Sequence, residues 1–300
     1  MSSKLLGFVG LGNMGGRITR RLVNAGYTVL GYDSAPGRAE HCGAKPAGSV
    51  AEVAKGADTI LLSLPDSTVV EPVAEEIFQN TKAGQVVVDL STAAPSSTMH
   101  LAARFAERGV TYIDAGISGG AAAAEKGTLT LMVGGDKATA DGLKDVFAPF
   151  STKVVYMGAS GAGHTTKLLN NFLNAVSLAA TAEVMVAGKK AGLDLHLLLE
   201  VLNASSGVNF ATLNRFPKIV DGDYLEGGLT GKLMTKDVVL YVDCLHQLGV
   251  TSLNAAGPMA CFGLGTALGY GDQISNRVVD AIGDVSGGIR LQSSTGKGKK

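Results

Sequence analysis

Short apolar runs rich in β-branched residues recur through the first half of the chain: "LLGFVG", "YTVLGYD", "TILLSL", "QVVVDLS" and "TYIDAG". Between them lie segments with helical or turn-rich patterning, beginning with "NMGGRITRRLVNAG". Strands alternating with helices predict a doubly wound α/β sheet of parallel strands, with helices on both faces. A further run, "GTLTLMVGG", also reads as a strand. From residue 164 the period becomes helical and stays so through "TTKLLNNFLNAVSLAATAEVMVAGKKAGL". Later segments such as "LDLHLLLEVLNAS" and "TKDVVLYVDCLHQLGV" are helical too, separated by glycine-rich breaks. The organisation expected is a Rossmann domain over 1–163, an interdomain helix over 164–192, an all-helical domain over 193–290 and a disordered tail over 291–300.

Ligands of such sheets bind beyond the carboxyl ends of the strands. After the first strand stands Gly10-Leu11-Gly12-Asn13-Met14-Gly15, a GxGxxG in strand-to-helix context. Gly10 permits the tight turn, Gly12 lets backbone approach a pyrophosphate, and Gly15 allows close helix–strand packing. The helix start that carries Asn13 and Met14 adds amide donors. Asp33, at the end of the second strand, is placed to accept ribose hydroxyls and to repel the extra phosphate of NADP, so NAD is favoured over NADP. Arg38, five residues on, is the one residue nearby that would favour a phosphate. Leu64 and Pro65 in "SLPDS", and Ser91 and Thr92 in "DLSTAAPSS", belong to the same rim. Each also suits turn or capping chemistry.

Two further groups carry candidate chemistry. Ser118, Gly119 and Gly120 follow a strand, and a hydroxyl beside unencumbered amides can cradle a carboxylate; a flexible turn is the alternative. In "GASGAGHTTKLLNN" a glycine-spaced loop enters a helix that carries Lys167, Asn171 and Asn174 on one face, with Asn170 at its edge. Asparagine is a poor helix former, so this stripe reads as functional, with Lys167 the acid/base group. His164 is the histidine nearest to it.

Composition narrows the partners. Lys+Arg and Asp+Glu number 26 each and 46% of residues are hydrophobic, which supports a sizeable core and no global field for nucleic acid or an anionic membrane. Cys42, Cys244 and Cys261 lack metal-type spacing and read as reduced, buried thiols. No histidine or cysteine pattern suggests a metal. The apolar segment 172–188 contains Asn174 and Glu183, which favours a core helix over a membrane span. With no signal-peptide pattern at the start, a cytoplasmic location is expected.

Taken in order, "GLGNMG", "SLP", "DLST", "DAGISGG…GTLTLMVGG", "GAGHTTKLLNN" and "LMTKD" resemble the successive motifs of the β-hydroxyacid dehydrogenase family, typified by 3-hydroxyisobutyrate dehydrogenase. The resemblance implies reversible, NAD-dependent oxidation of a small hydroxyacid to an aldehyde or ketone. By it Lys167 is the catalytic acid/base, Ser118, Gly119 and Gly120 hold the substrate carboxylate, and Asn171 orients the substrate with Asn170 beside it. Lys236 in "LMTKD" is implied to reach the cofactor, whereas Lys236 and Asp237 on pattern alone read as a helix-surface pair. A homodimer or homotetramer is expected. Imine reductase-type and semialdehyde reductase activities, and a non-catalytic NAD-binding scaffold, are the alternatives. The family's "DAPVSGG" appears here as "DAGISGG", a change that suggests a looser approach to the carboxylate cradle.

Overall fold

The apolar runs form one sheet because each is too short for a buried helix and is apolar on both faces. In the computed structural model, which describes residues 5–292, eight strands are present: β1 Leu5–Val9, β2 Thr28–Tyr32, β3 Lys45–Pro46, β4 Thr59–Leu62, β5 Val86–Asp89, β6 Thr111–Ser118, β7 Leu129–Gly134 and β8 Ser151–Gly158. Their order is β3-β2-β1-β4-β5-β6-β7-β8. Neighbours on a single strand point to opposite faces: Phe8 and Leu61 join one apolar cluster with Ile18, Leu22 and Phe147. Val9, Ile60 and Leu62 join another with Ile77 and Phe105. Both faces are therefore covered, as a parallel sheet requires.

The expectation of a wholly parallel sheet needs one correction. β6 and β7 pair antiparallel, Asp114 opposite Gly134 and Ser118 opposite Thr130. The connection contains only the short helix Gly120–Lys126, whereas a parallel crossover needs a dozen residues or more. β8, which pairs parallel with β7, was not anticipated from the pattern. It is an edge strand whose side chains are mostly exposed, so neither alternation nor an apolar run announces it.

The chain divides into two compact units, Met1–Leu168 and Leu169–Lys300. The boundary falls inside the long helix Ala162–Lys190, which starts two residues before the expected position and ends two before the expected end. In the second unit, Phe172, Leu178, Ala182 and Met185 repeat at helical spacing and pack with Phe216, Ile219, Met234, Val238 and Phe262. Segment 172–188 is thus a core helix, and no helix among the described residues is long and apolar enough to cross a membrane. Leu291, expected in a disordered tail, is 2% exposed and belongs to this core, because an apolar side chain gains by burial; residues 293–300 lie outside the described ones.

Candidate active site

The dinucleotide loop is built as its glycines require. Gly10 has φ +90°, and a side chain there would strike the Ser63 carbonyl, while Gly15 lies against the Gly10 carbonyl. Gly12 is partly exposed, and its missing Cβ would meet nothing closer than Arg38 Nη1 at 3.5 Å, which leaves the backbone open to a ligand. Asn13 is exposed and Met14 half-buried just before the helix Gly15–Asn24. Asp33 ties this loop to the end of β2: its Oδ2 accepts from Leu11 N–H at 2.7 Å and its Oδ1 from Ala35 N–H at 2.8 Å. Arg38 Nη1 lies 3.2 Å from both oxygens. The loop, the helix start and the carboxylate together fit a dinucleotide.

The rim residues are tied to one another. Leu64 N–H donates to the Ser91 hydroxyl at 2.9 Å, and Ser91 N–H donates to Asp89 Oδ1 at 2.9 Å, so the turns after β4 and β5 are cross-linked. Pro65 is exposed and Thr92 half-buried beside them. Asp89 also accepts from the Tyr112 hydroxyl at 2.9 Å. Burial, reinforced by Asp89, raises the Tyr112 pKa well above its ordinary value, so this phenol stays protonated and donating.

Lys167 owes its position to three features of the first unit. Asp114, fully buried in the middle of β6, accepts from Gly161 N–H at 2.8 Å through Oδ1 and from His164 N–H at 2.9 Å through Oδ2. A carboxylate from a neighbouring strand thereby caps the first turn of the long helix and complements its dipole. His164 is 0% exposed, with Nδ1 2.7 Å from the Thr98 hydroxyl and Nε2 3.3 Å from the Asp89 carbonyl, which makes it an internal strut. Gly116 supplies the third feature. A Cβ at Gly116 would lie 2.7 Å from Lys167 Cβ and 3.2 Å from the Gly163 carbonyl oxygen, so the helix rests directly on the strand. The glycine of "DAGISGG" thus stands where the helix that carries Lys167 approaches the strand closely. Ser118 lies two residues further along β6, half-buried, and Gly119 and Gly120 follow it, exposed, with φ of +124° and +67°.

In the second unit, Asn171 is 4% exposed and its Nδ2 donates to Asp237 Oδ2 at 2.5 Å. Lys236 Nζ stands 3.0 Å from the other oxygen as an ion pair. Asp237 is 1% exposed, so Lys236 and Asp237 are not the helix-surface pair that pattern suggested. The helix Gly231–Gln247 turns Asp237 inward, and its Tyr241 stacks on Phe172 with centroids 3.7 Å apart. Asn170 is exposed and donates to Asn171 Oδ1 at 3.3 Å. Sequence reasoning passed over Asp114 and Asp237 as site-building residues. Asp114 gave the one available signal, a carboxylate inside an otherwise apolar strand.

Residues 5–158 match the NAD-binding domain of 6-phosphogluconate dehydrogenase, and residues 161–282 match the domain described as NAD-binding of NADP-dependent 3-hydroxyisobutyrate dehydrogenase. The 2-(hydroxymethyl)glutarate dehydrogenase of Eubacterium barkeri is 33% identical over 289 residues, 94% of this chain and 96% of that protein. The mitochondrial 3-hydroxyisobutyrate dehydrogenase of Rattus norvegicus is 38% identical over 81% of this chain and 76% of its own length. The chain belongs to the β-hydroxyacid dehydrogenase family. Its first unit is an NAD-binding domain of that family. Among solved structures, Mycobacterium tuberculosis 3-hydroxyisobutyrate dehydrogenase with L-serine superposes with a TM-score of 0.85 at 29% identity, covering 92% of this chain and 97% of that one. An imine reductase from a Pseudomonas species shares the fold, with a TM-score of 0.63 at 20% identity.

Proposed function

We propose that the protein catalyses the reversible oxidation of the primary or secondary hydroxyl of a small β-hydroxyacid, of the 3-hydroxyisobutyrate kind, to the aldehyde or ketone. NAD, when held by the Gly10–Gly15 loop and Asp33, supplies the hydride acceptor. Leu64, Pro65, Thr92 and Lys236 are assigned to the same cofactor. The Ser118 hydroxyl and the Gly119 and Gly120 amides hold the substrate carboxylate. Lys167 Nζ takes the hydroxyl proton as the C–H bond is broken and the carbonyl forms; in reverse it returns that proton to the developing alkoxide. Asn171, held by Asp237, orients the reacting hydroxyl, with Asn170 in support.

The observation that carries this reading is the anchoring of Lys167. A helix capped by Asp114 and resting on Gly116 sets the stem of Lys167 against the strand that ends in Ser118. Relatives with named substrates bracket the chemistry: 2-(hydroxymethyl)glutarate in one, 3-hydroxyisobutyrate in another, and L-serine in the NAD-dependent enzyme of Pseudomonas aeruginosa, 36% identical over 79% of this chain. All three names describe dehydrogenases of hydroxyacids. Exposed apolar side chains on the second unit, Leu173 at 68% and Leu197 at 62% among them, support a homodimer or homotetramer.

The test is NADH formation with a panel of hydroxyacids, run for the wild type and for Lys167→Ala, alongside a fluorescence titration of NADH. Lys167→Ala is expected to keep its NADH affinity and to lose turnover by about 10²–10⁴-fold, the usual contribution of a positioned acid/base group. Substantial turnover in the variant removes Lys167 from the chemical step. Absence of turnover by the wild type on every acid, despite NADH binding, favours the scaffold alternative.

A further inference from the structure

The second unit contains three arginines, and two of them hold carboxylates. Arg277 Nη1 lies 3.0 Å from Asp280 Oδ2 and Nη2 lies 3.1 Å from Glu226 Oε1; Arg290 Nη2 lies 2.5 Å from Asp284 Oδ1. Arg215, between the helices Phe210–Asn214 and Phe216–Val220, has no such partner among the described residues. Its guanidinium donates only to neutral amide carbonyls, Nη2 to Asn174 Oδ1 at 2.9 Å and Nη1 to Asn276 Oδ1 at 2.6 Å. Of the five N–H donors of a guanidinium, the remainder have no acceptor among the described residues.

Burial lowers the Arg215 pKa from its ordinary value to about 10, so the group remains a cation at neutral pH while losing much of its hydration. Leaving a desolvated cation without a counter-charge is unfavourable. Here both hydrogen-bond partners are braced and neutral, and the only other partner of the guanidinium among the described residues is the Phe210 ring, whose centroid lies 5.8 Å from the guanidinium carbon. Asn276 is 2% exposed, and its Nδ2 is engaged with the Tyr224 carbonyl at 2.8 Å, which fixes its Oδ1 toward Arg215. The other partner, Asn174, follows Asn171 by three positions and Lys167 by seven, so one helix presents all three on one stripe.

We infer that Arg215, held by Asn174 and Asn276, receives a second anionic group on the substrate, so that the preferred hydroxyacid is a dicarboxylate. This rests on the assignment of Lys167 and Asn171 to the reacting end. A guanidinium fixed through two of its nitrogens and free at its other N–H groups offers the planar fork that a carboxylate accepts.

The experiment compares kcat/KM for 3-hydroxyisobutyrate with that for the 2-(hydroxymethyl) derivatives of butanedioate, pentanedioate and hexanedioate. It uses full-length wild type, Arg215→Met, Arg215→Lys and Asn276→Asp. The expected ratio in the wild type favours one of the diacids by about 10–150-fold, the range for hydrogen bonds to a charged group. Arg215→Met should bring the ratio close to one, chiefly through KM, and Arg215→Lys should restore part of it. Asn276→Asp retains the arginine but gives it an internal carboxylate, and it too should lower the ratio. A wild-type ratio near one, or a ratio unchanged in the variants while all rates fall together, overturns the inference and leaves Arg215 a tether. If no acid is turned over, calorimetry of glutarate against the NAD-loaded protein decides separately. Binding that depends on Arg215 sustains the anion site even though the proposed activity fails, and the absence of such binding refutes it.

Discussion

Gly116→Ala isolates the step on which the proposed chemistry depends, the seating of the catalytic helix on β6. The new Cβ would stand 2.7 Å from Lys167 Cβ and 3.2 Å from both Lys167 Cγ and the Gly163 carbonyl oxygen. Carbon atoms in contact prefer about 3.5–4.0 Å, so the helix must retreat by roughly 0.8 Å or more. Retreat is resisted because Asp114 holds the first turn through two hydrogen bonds and His164 is pinned between Thr98 and Asp89. Overpacking of this kind costs about 1–3 kcal/mol in stability. Displacing a catalytic group by about 1 Å costs up to about 10²-fold in rate, so kcat should fall by about 10–100-fold. NADH affinity should hold, since the dinucleotide loop lies elsewhere in the same unit. Steady-state kinetics, a fluorescence titration and thermal unfolding measure the three quantities. Gly142→Ala serves as the control: nothing lies within 4 Å of its added methyl and its φ is outside the left-handed region. A Gly116→Ala protein with wild-type kcat and wild-type melting temperature would refute the claim that this contact sets the position of Lys167.

Asp114→Asn keeps one carbonyl oxygen but points an NH₂ at Gly161 N–H or His164 N–H, leaving a buried donor unpaired; stability should fall by about 1–3 kcal/mol, with kcat reduced more than KM is raised. Burial raises the pKa of all three thiols, that of Cys261 to about 11 with help from the Glu183 carboxylate, so the native protein should react slowly with Ellman's reagent at pH 8 and the unfolded chain rapidly; fast native labelling would contradict the buried assignment. Asp136 and Asp194 cap the helices Lys137–Gly142 and Leu195–Asn203, and hydrogen bonds donated by Thr139 and Leu197 respectively hold their carboxyls below the ordinary aspartate value. The stability they contribute is present above the unfolded-state value and is lost as pH falls through the lower folded-state values, so the melting temperature should drop on acidification below about pH 4. The drop should shrink in the double variant Asp136→Asn, Asp194→Asn.

Local features of this protein were readable from local sequence. The turn at Gly10, the helix start after Gly15 and the carboxylate at Asp33 depend on residues near one another along the chain, and the geometry agrees with the motif. The helical stripe of Lys167, Asn171 and Asn174 follows from the period of the helix alone. Asn171 rather than Asn170 being the buried member follows from the same period. β8 left no such trace, because an edge strand with mostly exposed side chains carries little burial pattern. The reversal at β7 was equally hidden, since strand direction depends on how the intervening chain packs.

The sequence by itself thus determined the fold class, the nucleotide loop and which polar residues share a helix face, since each is set by spacing of a few residues and by backbone sterics. Only the tertiary structure decided that Asp114 caps a helix 47 residues away, that Gly116 is the seat of Lys167 and that Asp237 turns inward to Asn171. It also decided that Arg215 meets two asparagines and, among the described residues, no carboxylate. These partners lie far apart in the chain and are brought together by burial of apolar surface, which has no direction and leaves no pattern linking one residue to the other.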